Sequence, residues 1–300
     1  MNSKYYLAAV FAFVIWGLFS LVLKPLSDYS SVEILLYRMT LASFFILFFS
    51  LTIRRKTTRE NYLLFKSLPK KEKGFILLLN LSSAALLALN WYLFIYVMNR
   101  VSVNATSLAY LICPILTTVL AFFILKEKLS GKQKAAVVIS SLSCVALTFG
   151  HFMDLVYSMV IALSYAVYLV LQKKNHRLDR FFTLTAQVVL GSLLLSPLFI
   201  TAESSGEKSN SFYGLIVLIA IGFTIIPMFL NVYALKKLDS SVVGIFININ
   251  PVLSFLLAVF YFNETVNTVQ GIAYGLIFFS VLLFNTDALL GNWRKRFSSK

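Results

Sequence analysis

Pro114-Ile115-Leu116-Thr117-Thr118-Val119-Leu120-Ala121-Phe122-Phe123-Ile124-Leu125-Lys126-Glu127 and Pro251-Val252-Leu253-Ser254-Phe255-Leu256-Leu257-Ala258-Val259-Phe260-Tyr261-Phe262-Asn263-Glu264 are one pattern written twice, 137 residues apart. A proline opens each stretch, an apolar run follows, and a glutamate closes it. The same offset pairs Tyr96 with Tyr233, Gln133 with Gln270 and Ser143 with Ser280. Further upstream the match is weaker and the offset is 149: Trp16-Gly17 aligns with Tyr165-Ala166, and Lys24 with Lys173. The chain therefore reads as a duplication, and a duplication decides the fold before any single motif does.

The repeated unit belongs in a membrane. Of 300 residues, 59% are hydrophobic and 13% charged, with a mean hydropathy of +0.82. Soluble domains hold roughly 45–50% apolar and about 25% charged residues. A crossing helix needs about 20 mostly apolar residues. Ten stretches meet that length: 5–25, 32–53, 74–98, 102–125, 134–151, 153–172, 180–201, 211–235, 240–262 and 268–290. The apolar residues run continuously, without the alternation of a strand barrel. Between the fifth and sixth stretches the only divider is Gly150-His151-Phe152-Met153-Asp154, which is expected to be a turn, since 134–172 is too long for one crossing. The first stretch has no small-residue cleavage site and reads as a retained helix.

Basic residues orient the chain. The net charge is +15, from 27 Lys and Arg against 12 Asp and Glu. With the N-terminus cytoplasmic, the inner segments hold Lys4, the eight basic residues of 54–73, and those of 126–134, 173–180, 236–237 and 294–300. The outer segments hold only Lys24, Arg100 and Lys208, and Arg38 lies inside a span. This asymmetry follows the positive-inside rule, with both termini cytoplasmic. It also explains the positive charge without nucleic acid. The loop 54–73 then lies near anionic lipid headgroups. The outer loop 202–210 reads as an exposed polar linker.

Ten crossings divide into five and five, at 1–151 and 152–300. An odd number per half turns the second half upside down, the architecture of secondary transporters. The Trp16-Gly17 pair, the two Pro-x12-Glu stretches and the duplication resemble the drug/metabolite transporter superfamily in its EamA branch. Asn90-Trp91-Tyr92-Leu93-Phe94-Ile95-Tyr96 leading to Pro114, and Glu33-x4-Arg38, resemble more narrowly the RarD-like group. The resemblance covers almost the whole chain. It implies export or facilitated passage of small metabolites, amino acids among them, across the bacterial inner membrane.

Polar groups within the spans are the candidate substrate site. A charge at a helix centre costs about 2.5–3.5 kcal/mol on insertion scales, so Arg38 stands out. Its guanidinium is suited to clamp a carboxylate through two hydrogen bonds. The competing reading makes it a structural partner of Glu33 or of a helix-end carbonyl. Tyr92 and Tyr96, four apart, share a helix face. Together with Trp16, Tyr110, Tyr165, Tyr233 and Asn248, they are expected to line a cavity for an amphipathic metabolite. Pro114 and Pro251 are the expected paired hinges, because proline removes a helical hydrogen bond. The glycines, Gly17, Gly191, Gly271 and Gly275 among them, read as sites of close helix packing.

Chemistry of other kinds has no foothold in the sequence. It contains no phosphate-binding Gly-x4-Gly-Lys loop, no catalytic constellation, no metal-ligand cluster and no cofactor motif. Cys113 and Cys144 lie in apolar runs and read as packed thiols. No acidic residue is central to a span, which favours facilitated diffusion over proton coupling. The expected partners are a small-molecule substrate and the bilayer. Two other readings stand beside the transporter: a membrane partner or sensor that does not transport, and an intramembrane enzyme acting on lipid-linked substrates.

Overall fold

A computed structural model describes residues 3–126, 130–175, 177–201, 206–234, 237–238 and 246–297. Among these residues the chain is helical and holds no strand. The helices are α1 (Ser3–Gly17), α2 (Phe19–Leu23), α3 (Ser31–Thr52), α4 (Arg55–Ser67), α5 (Lys70–Arg100), α6 (Val103–Leu125) and α7 (Gly131–Lys174). After them come α8 (Arg180–Leu195), α9 (Leu198–Thr201), α10 (Asn210–Ala220), α11 (Ile226–Ala234), α12 (Ile249–Phe260) and α13 (Thr268–Phe297). A π-turn, Ile221–Ile225, joins α10 to α11.

Five stretches of described residues are long and apolar enough to cross a membrane: Ser31–Thr52, Lys70–Arg100, Val103–Ile124, Phe152–Gln172 and Asn210–Asn231. The pair Ser3–Gly17 and Phe19–Leu26, bent by 41°, makes a sixth if taken as one span. Arg180–Leu195, Ile249–Phe260 and Thr268–Phe284 are apolar but shorter. Large side chains such as Phe44, Phe48, Leu78, Ile200 and Phe279 point outward. Water would penalise that surface and lipid does not. The chain is a multi-pass membrane protein. Glu127, His176, residues 202–205 and the start of the expected ninth span, with Gly244, lie outside the described residues.

Two expectations about connections are corrected. The segment 54–73 is mostly helix, not loop. Its α4 turns Asn61 to the bundle, where the Asn61 side-chain oxygen accepts the Asp179 backbone N–H at 2.7 Å. The expected turn at Gly150–Asp154 has no loop of its own, because helical backbone runs through it from Gly131 to Lys174. No proline interrupts it, and a glycine within a helix costs only about 1 kcal/mol. Still, α7 is not a straight rod. At about 1.5 Å per residue it would stretch to roughly 66 Å. It begins a few residues beyond the end of α6, yet Ser158 donates to the Ala105 carbonyl at 2.7 Å, near the start of α6. The Tyr165 ring lies 6.1 Å from that of Tyr110. The chain therefore runs back along α6 and reverses within α7, and the later part of α7 lies parallel to α6.

Other contacts fix further helix directions. The Ser107 hydroxyl donates to the Pro251 carbonyl at 2.7 Å, while Glu264 reaches the backbone of Val103 and Asn104. The two repeat-matched helices, α6 and α12, thus pack antiparallel. Helix α3 runs antiparallel to α8, from Ser50 against Thr185 to Arg54 against Asp179. Helix α1 runs antiparallel to the α10–α11 segment, from Tyr5 against Tyr233 to Trp16 against Phe223.

The repeat also recurs in local geometry. Lys126 (φ 56°) and Asn263 (φ 54°) are the two non-glycine residues with positive φ among those described, and they stand 137 apart. Four residues after each comes a helix cap. The Ser130 hydroxyl accepts from Gln133 N–H at 3.3 Å while the Gln133 side chain accepts from Ser130 N–H at 2.9 Å. Asn267 and Gln270 repeat this reciprocal box at 2.8 and 3.1 Å. Each box satisfies helix N–H groups that have no intrahelical partner.

Candidate functional site

Arg38 lies on α3, about 10 Å from its N-terminal end at 1.5 Å per residue, and only 7% of it is exposed. Two aromatic rings lie against its guanidinium, with centroids 4.1 Å away for Trp91 and 4.9 Å for Phe19. The bend between α1 and α2 brings Phe19 there, and α5 brings Trp91. Cation–π contact partly replaces lost hydration. Nη2 donates to the Thr224 hydroxyl at 3.4 Å, and Nε has no hydrogen-bond partner.

Glu33 is not the structural partner of Arg38. Its carboxylate takes the Lys208 ammonium at 2.9 Å, with both side chains largely buried. That carboxylate, as hydrogen-bond partner, holds Lys208 above its ordinary lysine pKa. The segment before α10, expected to be a linker, is thus more than one. Lys208 locks it onto α3, Ser209 caps α10 by accepting from Phe212 N–H, and Tyr29 meets the Ser209 hydroxyl at 3.2 Å.

Thr224 owes its position to the π-turn. Pro227 has no N–H to return to Phe223, and its ring crowds that carbonyl, so a wider turn relieves the helix. The Trp16 indole N–H donates to the Phe223 carbonyl at 3.0 Å. Thr224 donates its own hydroxyl to Ile219, five residues back, at 3.0 Å. One irregular turn therefore contacts α1 through Trp16, Phe19 through the Phe223 ring at 5.6 Å, and Arg38 through Thr224.

Of the expected lining residues, the structure brings five to one region. From Phe19 the rings continue to Phe94 (5.8 Å), Tyr110 (5.4 Å from Phe94), Tyr165 (6.1 Å) and Tyr168 (5.6 Å). Tyr92 and Tyr96 stack at 6.1 Å, and Tyr96 meets Tyr157 at 6.4 Å. Tyr110 and Tyr165 are half-buried. Trp16 joins this region only through Phe223. Its own ring packs with Phe13 at 5.3 Å in a separate cluster that also takes Tyr233, which stacks on Tyr5 at 4.9 Å. Asn248 precedes α12 and is 8% exposed.

The prolines are not equivalent among the described residues. Pro114 lies inside α6, and the Tyr110 carbonyl one turn earlier loses its helical donor. Pro251 occupies the first turn of α12, where a missing N–H breaks no ladder. Glu264, the repeat glutamate, accepts from Val103 N–H at 2.7 Å and Asn104 N–H at 2.9 Å. This carboxylate cap suits the positive end of α6. Asn90 donates to the Ile161 carbonyl and the Ser164 hydroxyl, both at 3.0 Å, and ties α5 to α7. Both cysteines are free, and no group of three or more metal-ligating side chains occurs among the described residues.

A family model described as the EamA-like transporter family matches residues 3–149 and again 153–286. The chain belongs to this family. Relatives include a protein named uncharacterized transporter YojE of Bacillus subtilis, 28% identical, covering 95% of this chain and 93% of that one. RarD of Salmonella typhi is 30% identical over 96% of this chain and 97% of its own, and RarD of Escherichia coli 29% over 94% of each. A solved crystal structure with a TM-score of 0.63 and 17% identity covers 94% of this chain and 97% of that chain, so it shares the fold. Family and relatives together make the chain a membrane transporter.

Trp91, Phe19 and Thr224 were not singled out as site residues in the sequence. Trp91 stands inside the quoted Asn90–Tyr96 motif, and Gly222-Phe223-Thr224 before Pro227 was the local sign of an irregular turn.

Proposed function

We propose that the chain is a secondary transporter, exporter or facilitator, of small organic metabolites such as amino acids or related amphipathic compounds. It works by alternating access at the interface of two inverted five-helix halves, residues 1–151 and 152–300. Ten crossings place both termini in the cytoplasm, and the membrane is the bacterial plasma (inner) membrane. The observation that carries this reading is the antiparallel packing of the repeat-matched helices α6 and α12. A five-plus-five chain requires that opposition, since an odd number of crossings inverts the second half. The remaining directions support the count. Helix α3 opposes α8, the later part of α7 follows α6, and α1 opposes α11. The twice-matching family model supports the division into halves.

The site is formed by Arg38, Tyr92, Tyr96, Tyr110 and Tyr165, with Trp16 holding the π-turn and Tyr233 and Asn248 contributed by the second half. Pro114 and Pro251 act as its hinges. No catalysis is assigned.

Labelling tests alternating access. In a background of Cys113→Ser and Cys144→Ser, Tyr165→Cys should react with a membrane-impermeant maleimide in both right-side-out and inside-out vesicles. Reaction from one side only would contradict two-sided access.

A further inference from the structure

We propose that Arg38 is the seat for a carboxylate of the cargo, so that the transported molecule is a small carboxylate-bearing metabolite with an apolar or aromatic body. The inference rests on the transporter reading above and adds the chemical class.

It starts from an imbalance. Arg38 is buried, and no carboxylate pairs with it among the described residues. Glu33, the nearest in sequence, is held by Lys208. A buried charge without a counter-charge is costly, and proteins usually pair one or leave it out. Here the charge is kept. The rings of Trp91 and Phe19 lie 4.1 and 4.9 Å from the guanidinium carbon, and a carboxylate must approach an edge, where the N–H groups point. Nε and Nη2 form one such edge, with two nearly parallel N–H bonds at the spacing of carboxylate oxygens. Nε has no partner, and the Nη2 bond to Thr224 is long, at 3.4 Å.

The rest of the pocket suits the rest of such a molecule. Phe94 and Tyr110 continue the aromatic wall from Phe19. A carboxylate taking the Nε–Nη2 edge would release Thr224. Thr224 sits on the turn that Trp16 holds from α1, so cargo binding would loosen a contact between the first and second halves of the chain.

The test is equilibrium binding to the purified full chain, read by intrinsic tryptophan fluorescence in a Trp293→Phe background. The probes are pyruvate, phenylacetate and phenylalanine, each against its amide. The expected result is a saturable change for at least one acid at least tenfold tighter than for its amide. Arg38→Gln should remove that preference, and Arg38→Lys should keep part of it, because charge remains without the two-pronged edge. Both variants should melt no lower than wild type, which separates lost binding from lost folding. Equal binding of acid and amide, no binding of any acid, or an unchanged preference in Arg38→Gln would overturn the inference. If vesicles showed no transport while the acid preference held, the transporter reading would fail and the carboxylate seat would stand.

Discussion

Arg38→Met is expected to stabilise the protein and silence it. The substitution exchanges a buried cation without a counter-carboxylate for an apolar side chain of similar length. Replacing buried ionic groups by well-packed apolar ones is often neutral or stabilising, by about 1–4 kcal/mol. What the variant loses is the grip on substrate. Two hydrogen bonds to a charged group, at about 1.5–3 kcal/mol each, correspond to a fall of roughly 100-fold or more in transport. Thermal melting in detergent and uptake by vesicles check both halves. A structural arginine would give the opposite pattern, with a lower melting temperature and transport that falls only with the amount of folded protein.

Gly17→Val is expected to loosen the first helix from the bundle. A Cβ at Gly17 would lie 2.8 Å from Leu253 Cβ and 3.3 Å from the Asn250 carbonyl. Leu253 Cβ is fixed to its backbone, so α1 and α12 must separate. The Ser254 hydroxyl bond to the Gly17 carbonyl, at 3.3 Å, goes with them. Overpacking of this kind costs about 1–3 kcal/mol. Gly275→Ala should do the reverse. Nothing lies within 4 Å of a Cβ there, and alanine improves helix propensity by about 1 kcal/mol over glycine. Chemical denaturation of the two variants should show shifts of opposite sign. Gly191 has a softer constraint, since its close neighbour at 2.6 Å is the movable end of Met39. The glycines were therefore right as packing sites at Gly17 and wrong at Gly271 and Gly275, which face open space.

Much of the fold was legible because it rests on local rules. The repeat Pro-x12-Glu carries its own geometry: a left-handed residue before the glutamate and a capping box after it, at Ser130–Gln133 and Asn267–Gln270. Short-range spacing encodes such features. The reversal within α7 was legible from length alone, but its helical backbone was not, because Gly150 and Asp154 weaken a helix without forbidding it. Segment 54–73 was legible as basic, while its helix α4 depends on contacts with Asp179 from a distant part of the chain.

The candidate site was legible in its members and not in its connections. Arg38, Tyr110 and Tyr165 stand out as polar or aromatic groups in apolar runs. Which groups they touch is set by tertiary packing over long separations. Thr224 is 186 residues from Arg38. The pairing of Glu33 with Lys208 answers the question of what Arg38 does not do, and nothing in the spacing of Glu33 and Arg38 shows it. Tyr233 illustrates the limit of repeat symmetry. Its match, Tyr96, stacks with Tyr92, whereas Tyr233 stacks with Tyr5 in another cluster.

Counterflow tests the central claim most directly. Purified full-length protein is reconstituted into liposomes preloaded with a defined mixture of amino acids and organic acids, and an isotopically labelled copy of the mixture is added outside. Mass spectrometry then reads which solutes exchange. A secondary carrier should accumulate one or more labelled carboxylate-bearing metabolites transiently, faster than protein-free liposomes and without ATP. Exchange no faster than in protein-free liposomes for every member of the mixture would contradict the account.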